Sequence, residues 1–419
     1  MKNFFLSFFI LLTAQVSAQK TFIHCGNLID GKSNDVQPQM TIVIQGNKII
    51  SIEKGFSKPG SSDSVINLSN KTVLPGLIDM HVHLESETNK DQQLQEFTLN
   101  DADVAFHSTV YAKRTLLAGF TTVRDLGGSG VNISLRNAIN QGLVVGPRIF
   151  TAGKAIASTG GHADPTNGYR KDLMGNPGPN EGVVNSVEDA RQAVRQRYKE
   201  GSDLIKITAT GGVLSIAKDG SGPQFTEEEM KAIIETAKDY GMHVAAHAHG
   251  AEGMKRAVLA GITTIEHGTK MTEEVMDLMK QKGTFYVPTI TAGRFVAEKA
   301  KVPGYYNPLV VPKALEIGPL IQGTFGKAYK RGVKIAFGTD AGVFPHGENG
   351  KEFGYMVEAG MPPMEAIKAA TATNAGILGM LDKIGTLESG KLADIIAVDE
   401  NPIKNIHTLE AVRFVMKEG

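Results

Sequence analysis

From Leu74 to Ile384 the chain repeats one pattern: a short apolar run, then a longer amphipathic stretch, eight times over. The runs are IDMHVHL, TTVRDL, RIFTAG, LIKITAT, HVAAHA, TTIEHG, FYVPTI and KIAFGTD. Stretches such as TEEEMKAIIETAKDYG lie between them, with a glutamate-rich first turn and a terminal glycine as helix start and stop signals. Strands that alternate with helices build a parallel sheet, and eight of them fit a closed (β/α)8 barrel. A doubly wound open sheet is the competing arrangement.

The flanks read differently. TFIHCGNLI, MTIVIQ, KIISIE and KTVLPG are alternating runs separated by turn-rich pieces such as DGKSND and SKPGSSD, the mark of antiparallel strands. Similar runs return as ADIIAVD and VRFVMKEG. We expect a small β-sandwich domain built from residues 19–74 and 385–419, with the barrel domain of residues 75–384 inserted between them.

Residues 1–18 read as a signal peptide. Lys2 precedes the apolar run FFLSFFILL, and Val16, Ser17 and Ala18 supply small residues before a cut after Ala18. The run is shorter than the roughly 20 apolar residues that span a bilayer. A periplasmic or secreted protein is expected, with no stable membrane insertion after cleavage. The single cysteine, Cys25, excludes an internal disulfide. Lys and Arg together number 44, as do Asp and Glu, and no basic stripe stands out, so no nucleic-acid partner is expected. A homo-oligomer is compatible with this composition.

Six residues of metal-ligand type sit at the ends of the apolar runs: His81, His83, Lys206, His247, His267 and Asp340. Strand ends carry the active site of a (β/α)8 barrel. Side chains alternate along a strand, so His81 and His83 share one face, roughly 6.5 Å apart. Taken alone, such a pair could equally be two solvated or core histidines. Asp79 falls on the same face one layer deeper, placed to orient a histidine. Lys206 interrupts an apolar strand, and burial of an ammonium depresses its pKa. It is either paired with a carboxylate at the barrel mouth or a neutral amine that has taken up carbon dioxide as a carbamate. An anionic carbamate beside imidazoles suits two divalent ions, zinc or manganese. Asp340 in GTDAG is either a turn or cap residue, or a metal ligand that also moves a proton.

His162 lies in the glycine loop STGGHADP, which brings backbone close to a ligand. It is a candidate to hydrogen-bond the scissile carbonyl, with a surface-loop histidine as the alternative. His249 is expected to rim the pocket and bind substrate. His243 is expected deeper, in a structural role. Glu266 is expected to face outward, toward the helices. Tyr169 and Arg170 could bind a substrate carboxylate, but read more simply as an exposed surface pair. His24, His107, His346 and His407 take no role.

These motifs together resemble the amidohydrolase superfamily: LPGLIDMHVH, KITATGG, AHAHG, IEHG, GTDAG and ESGKLADIIAVD. The likeness is strongest to the binuclear Xaa-Pro dipeptidase (prolidase-like) branch, often called imidazolonepropionase-like. STGGH also matches that branch, where the histidine contacts substrate. The resemblance implies His81, His83 and Asp340 on one metal, His247 and His267 on the other, and carboxylated Lys206 between them. It implies a hydrolase of C–N amide bonds, most simply in Xaa-Pro or similar dipeptides with a free C-terminus. True imidazolonepropionases are mononuclear and lack the strand-four lysine, so Lys206 argues against that activity. Aryl amides, carbamates, lactones and cyclic amides are the alternative substrates. A catalytically silent binding protein on this fold would be expected to have lost ligands, and none of the six is missing.

Overall fold

The computed structural model describes residues 19–217 and 220–419, so the signal-peptide reading of residues 1–18 lies outside the described residues. Four strands come first: β1 (Lys20–Leu28), β2 (Gln37–Gln45), β3 (Lys48–Lys54) and β4 (Ser64–Pro75). Their β-branched residues suit a pleated, half-buried surface. β2 turns into β3 through Gly46 and Asn47, with Gln45 paired to Lys48. Gly46 has φ 59°, a conformation that only glycine enters cheaply.

The barrel strands follow: β5 (Leu77–Val82), β6 (Phe120–Asp125), β7 (Arg148–Thr151) and β8 (Ile205–Thr208). Then come β9 (Val244–Ala248), β10 (Thr264–His267), β11 (Phe285–Val287) and β12 (Lys334–Ile335). Each of the eight lies within one of the apolar runs or extends it by one residue. β5 to β7 pair in parallel, and so do β8 to β12. Parallel bridges Ile156–Ile207 and Val82–Ala341 join the two groups at both seams. The ring therefore closes, which excludes the open doubly wound sheet.

β13 (Ile395–Val398) and β14 (Phe414–Met416) return to the first strands, giving the order β14-β13-β4-β1-β2-β3. An antiparallel bridge from Lys48 to Leu392 curls this sheet back on itself. Ile23, Cys25, Leu28, Ile42, Ile44, Val73, Leu387 and Ile395 fill the space between its faces. This is the β-sandwich domain of both flanks. β4 runs on from it toward the barrel, so position 74/75 falls inside a strand. Gly76 makes the corner into β5: a Cβ there would overlap the Thr121 side chain.

The outer helices are held as their sequences predict. In the helix Glu227–Asp239, Thr226 accepts from the Glu229 amide at 3.2 Å, and Glu229 accepts from the Thr226 amide at 2.8 Å. Gly241 at φ 70° ends it. Met230 and Ile233 on its inner face are fully buried, each contributing about 1.5–3 kcal/mol. No helix among the described residues is long and apolar enough to cross a membrane.

Candidate metal centre

His81, His83, Lys206, His247, His267 and Asp340 all line one cavity of about 630 Å³ at the C-terminal end of the barrel strands. His162 and His249 line it too. Ligand atoms of His81, His267 and Asp340 lie within 4.8 Å of one another. His83 Nε2 is 3.3 Å from Asp340 Oδ1, and His81 Nε2 is 3.5 Å from it. Lys206 Nζ is 3.5 Å from His81 Nε2.

Each imidazole is aimed by the bond at its other nitrogen. His81 Nδ1 donates to Glu266 Oε2 at 2.9 Å, and His83 Nδ1 to the Gly127 carbonyl at 2.7 Å. Carboxylates and carbonyls only accept, so Nδ1 of each ring carries a proton and Nε2 of each faces the cluster. His247 is the reverse: Nε2 donates to the Gly211 carbonyl at 3.2 Å, which leaves Nδ1 as its ligand atom. His267 Nδ1 shares a 2.8 Å hydrogen bond with Thr289 Oγ1.

Burial pushes His81, His247 and His267 well below the usual imidazole range, helped by Lys206 near His81 and by the histidines crowded around the other two. Neutral imidazole is the form that binds metal. At Asp340 burial opposes ionisation, but His81 and His83 outweigh it and hold the carboxyl below its ordinary range. Asp340 Oδ1 is buried among these rings without a well-formed hydrogen bond. At His83 burial is outweighed by Asp340 and Asp125, which hold its pKa above the usual imidazole value, so its proton must leave when a metal binds. Three neutral imidazoles, His83 and a carboxylate oxygen in one buried cluster are a donor set that fits divalent cations.

Lys206 is 4% exposed and lies within salt-bridge distance of no carboxylate among the described residues, although Glu266 and Asp340 are the main negative charges that act on it. Burial lowers its pKa to about 8. His162 stacks on His247 at 4.3 Å between centroids, and its Nδ1 is buried with no partner among the described residues. Burial first, then His249 and Lys206, lower its pKa to about 3. His249 stacks on His267, and its Nδ1 shares a 2.9 Å hydrogen bond with Thr269. The far wall is apolar, formed by Val213, Leu214, Val296, Ile317, Ile321 and Val343.

Two expectations need correction. Glu266 does not face the helices. It is fully buried inside the barrel, where it binds His81 and pairs with Arg124 Nη2 at 2.8 Å. The alternation rule fails because His267 takes φ 69°, so consecutive side chains both point inward. Asp79 does not orient a histidine ring. Its Oδ1 accepts from the His81 amide at 3.0 Å and the Thr339 amide at 3.1 Å, and its Oδ2 from Thr339 Oγ1 at 2.6 Å. It ties β5 to the segment that carries Asp340.

His243 lies deeper, 3.4 Å from Arg124 Nη1. Arg170 is exposed and pairs with Asp172 at 2.6 Å rather than with Tyr169, which lies against Phe97. Arg124 escaped notice in the sequence, although a cation inside the apolar run TTVRDL is the same signal that marked Lys206.

The ring of strands with titratable groups gathered at one end defines a barrel hydrolase. The chain belongs to the amidohydrolase family, whose profile matches residues 72–419. It is similar to a Xaa-Pro dipeptidase solved with methionine in its active site, at 57% identity and a TM-score of 0.93 over 96% of this chain and 98% of that one. A prolidase complexed with N-methylphosphonate-L-proline shares 32% identity and a TM-score of 0.88, over 96% and 98% of the two chains. Ochratoxinase from Aspergillus niger is 32% identical over 437 residues, 98% of this chain and 88% of the relative. The protein is a hydrolase that acts on carbon–nitrogen bonds.

Proposed function

We propose that this protein is a binuclear metallo-dipeptidase that cleaves Xaa-Pro or similar dipeptides with a free C-terminus, exported to the periplasm or secreted. The observation that carries the reading is Lys206: a buried amine with no ion pair among the described residues, set among four imidazoles and Asp340. The 57% identity to a Xaa-Pro dipeptidase supports the substrate class.

His81, His83 and Asp340 would hold one zinc or manganese ion, and His247 and His267 the other, with Lys206 as a carbamate between them. Such ions, when bound, polarise a carbonyl and make a water acidic. Asp340 Oδ1 holds the proton released on attack and returns it to the leaving nitrogen. A proline nitrogen, a poor leaving group as an amide anion, needs that proton. His162, held neutral by burial and with no Nδ1 partner among the described residues, hydrogen-bonds the substrate carbonyl. His249 contacts the substrate beside it. The apolar wall excludes water and receives the side chain. That same broad wall favours a second reading, hydrolysis of an aryl or cyclic amide, carbamate or lactone.

Metal analysis by plasma mass spectrometry, on protein made with bicarbonate, tests the centre. About two ions per chain are expected, falling sharply in Lys206→Ala. One ion or none, unchanged by the substitution, overturns the binuclear centre. A panel of Xaa-Pro dipeptides beside aryl amides and esters separates the two substrate readings.

A further inference from the structure

The loop after β8, from Thr210 onward, meets the centre at several points. The Gly211 carbonyl fixes His247. Gly212 packs flat against the His162 ring, where a Cβ would overlap Cγ, Nδ1 and Cε1. Val213 and Leu214 form part of the apolar wall. The sequence here, TGGVLSIA, does little to hold such a path, because paired glycines raise the entropy cost of order.

The bridge from Thr210 to Pro223 and the Gly211 amide on the Gly222 carbonyl tie the start of the loop, and beyond it the hold comes from a distant helix, Val311–Ile317. Its Lys313 is 7% exposed, and Nζ donates to the carbonyls of Gly212 at 3.0 Å, Ser215 at 2.6 Å and Ala217 at 2.8 Å. Val213 packs from the loop against Val296, Ala314 and Ile317, so an apolar contact closes over the polar one. An ammonium is a compact donor of three hydrogen bonds, suited to gathering carbonyls from an irregular turn.

We propose that Lys313 is a positioning residue for hydrolysis: it clamps the loop from Gly212 to Ala217 and thereby sets His162 and the wall that receives the substrate's apolar side chain. Resting on the dipeptidase reading, the clamp acts on substrates in proportion to their reach along that wall. It leaves the metal ligands, apart from the Gly211 bond to His247, to their own strands.

Lys313→Met keeps the length of the side chain and removes the donors. Amide hydrogen exchange over residues 210–217 should speed up by at least about tenfold, since these bonds no longer close the loop. Metal content should hold. kcat/KM for Met-Pro should fall about ten- to hundredfold, and for Gly-Pro only a few fold, because small misplacements act through the contacts a substrate makes. Unchanged exchange overturns the clamp. An equal fall on both substrates overturns its link to the wall. Gly212→Ala gives a second arm should Lys313→Met fold poorly. It should lower kcat about tenfold through His162 with metal retained, and wild-type turnover would overturn the loop's hold on that ring. If the wild-type enzyme cleaves no dipeptide, the dipeptidase reading fails, and the exchange result alone decides whether Lys313 is a clamp.

Discussion

Glu266→Gln is the sharpest test of how the centre is built. Glu266 is fully buried and serves three donors: His81 Nδ1, Arg124 Nη2 and Thr264 Oγ1. Glutamine has the same shape but one acceptor oxygen. If that oxygen turns to Arg124, the amide NH2 meets the N–H of His81. The His81 proton is then favoured on Nε2, and its lone pair leaves the cluster. Loss of such a supporting acceptor lowers metal affinity about 10- to 100-fold, or about 1.4–2.8 kcal/mol. The metal-free fold suffers separately, because Arg124 loses its counter-charge. Breaking a buried pair costs about 3–5 kcal/mol, and the lower end applies because an amide oxygen still accepts. Zinc affinity by chelator competition, and urea unfolding of metal-stripped protein, measure the two effects independently. Wild-type zinc affinity in a destabilised variant would refute the reasoning: Glu266 would then serve the fold alone.

Asp340→Asn should retain most of the metal while kcat falls about 10²–10⁴-fold, the range for loss of a proton-transfer group; near-wild-type turnover with metal bound would remove Asp340 from that role. His346 gives a pH signature. It is buried, its Nε2 donates to the Ser86 carbonyl at 2.9 Å, and burial lowers its pKa to about 4. The folded pKa lies below the unfolded value, so this stabilisation is present above about pH 6.5 and is lost as pH falls through about 4. Its full size is about 3 kcal/mol. His346→Gln should therefore lose less stability than wild type between pH 7 and 4.5 in urea unfolding, and parallel losses would refute the assignment.

The barrel was legible because its strands alternate with capped helices, and cap chemistry is local: Thr226 and Glu229 sit three residues apart. The gathering of six ligand-type residues was legible because strand ends converge in a closed ring. What failed was the rule that neighbours on a strand face opposite ways. His267 and Asp340 both take left-handed backbone, at φ 69° and 64°, and no residue type announced it. Glu266 was misplaced for that reason. Asp79 was placed on the correct strand, but its partners are two backbone amides and the side chains of Thr339 and Asn349, about 260–270 residues away, which sequence does not bring together. Lys313 looked like any surface lysine, since its three carbonyls belong to a loop about a hundred residues earlier and brought near only by the fold.

The sheet shared by both flanks has a consequence in time. Leu74 on β4 pairs with Ile396 on β13, so this ladder closes only after the whole barrel sequence has been made. Until then β4 offers an open edge of Thr72, Val73 and Leu74, the kind of surface on which other chains add as strands. Contacts this distant in sequence form late and slowly. A chain with its first strands formed thus carries β4 paired to β1 along one edge and open along the other, and that open edge is where a chaperone would act to most effect.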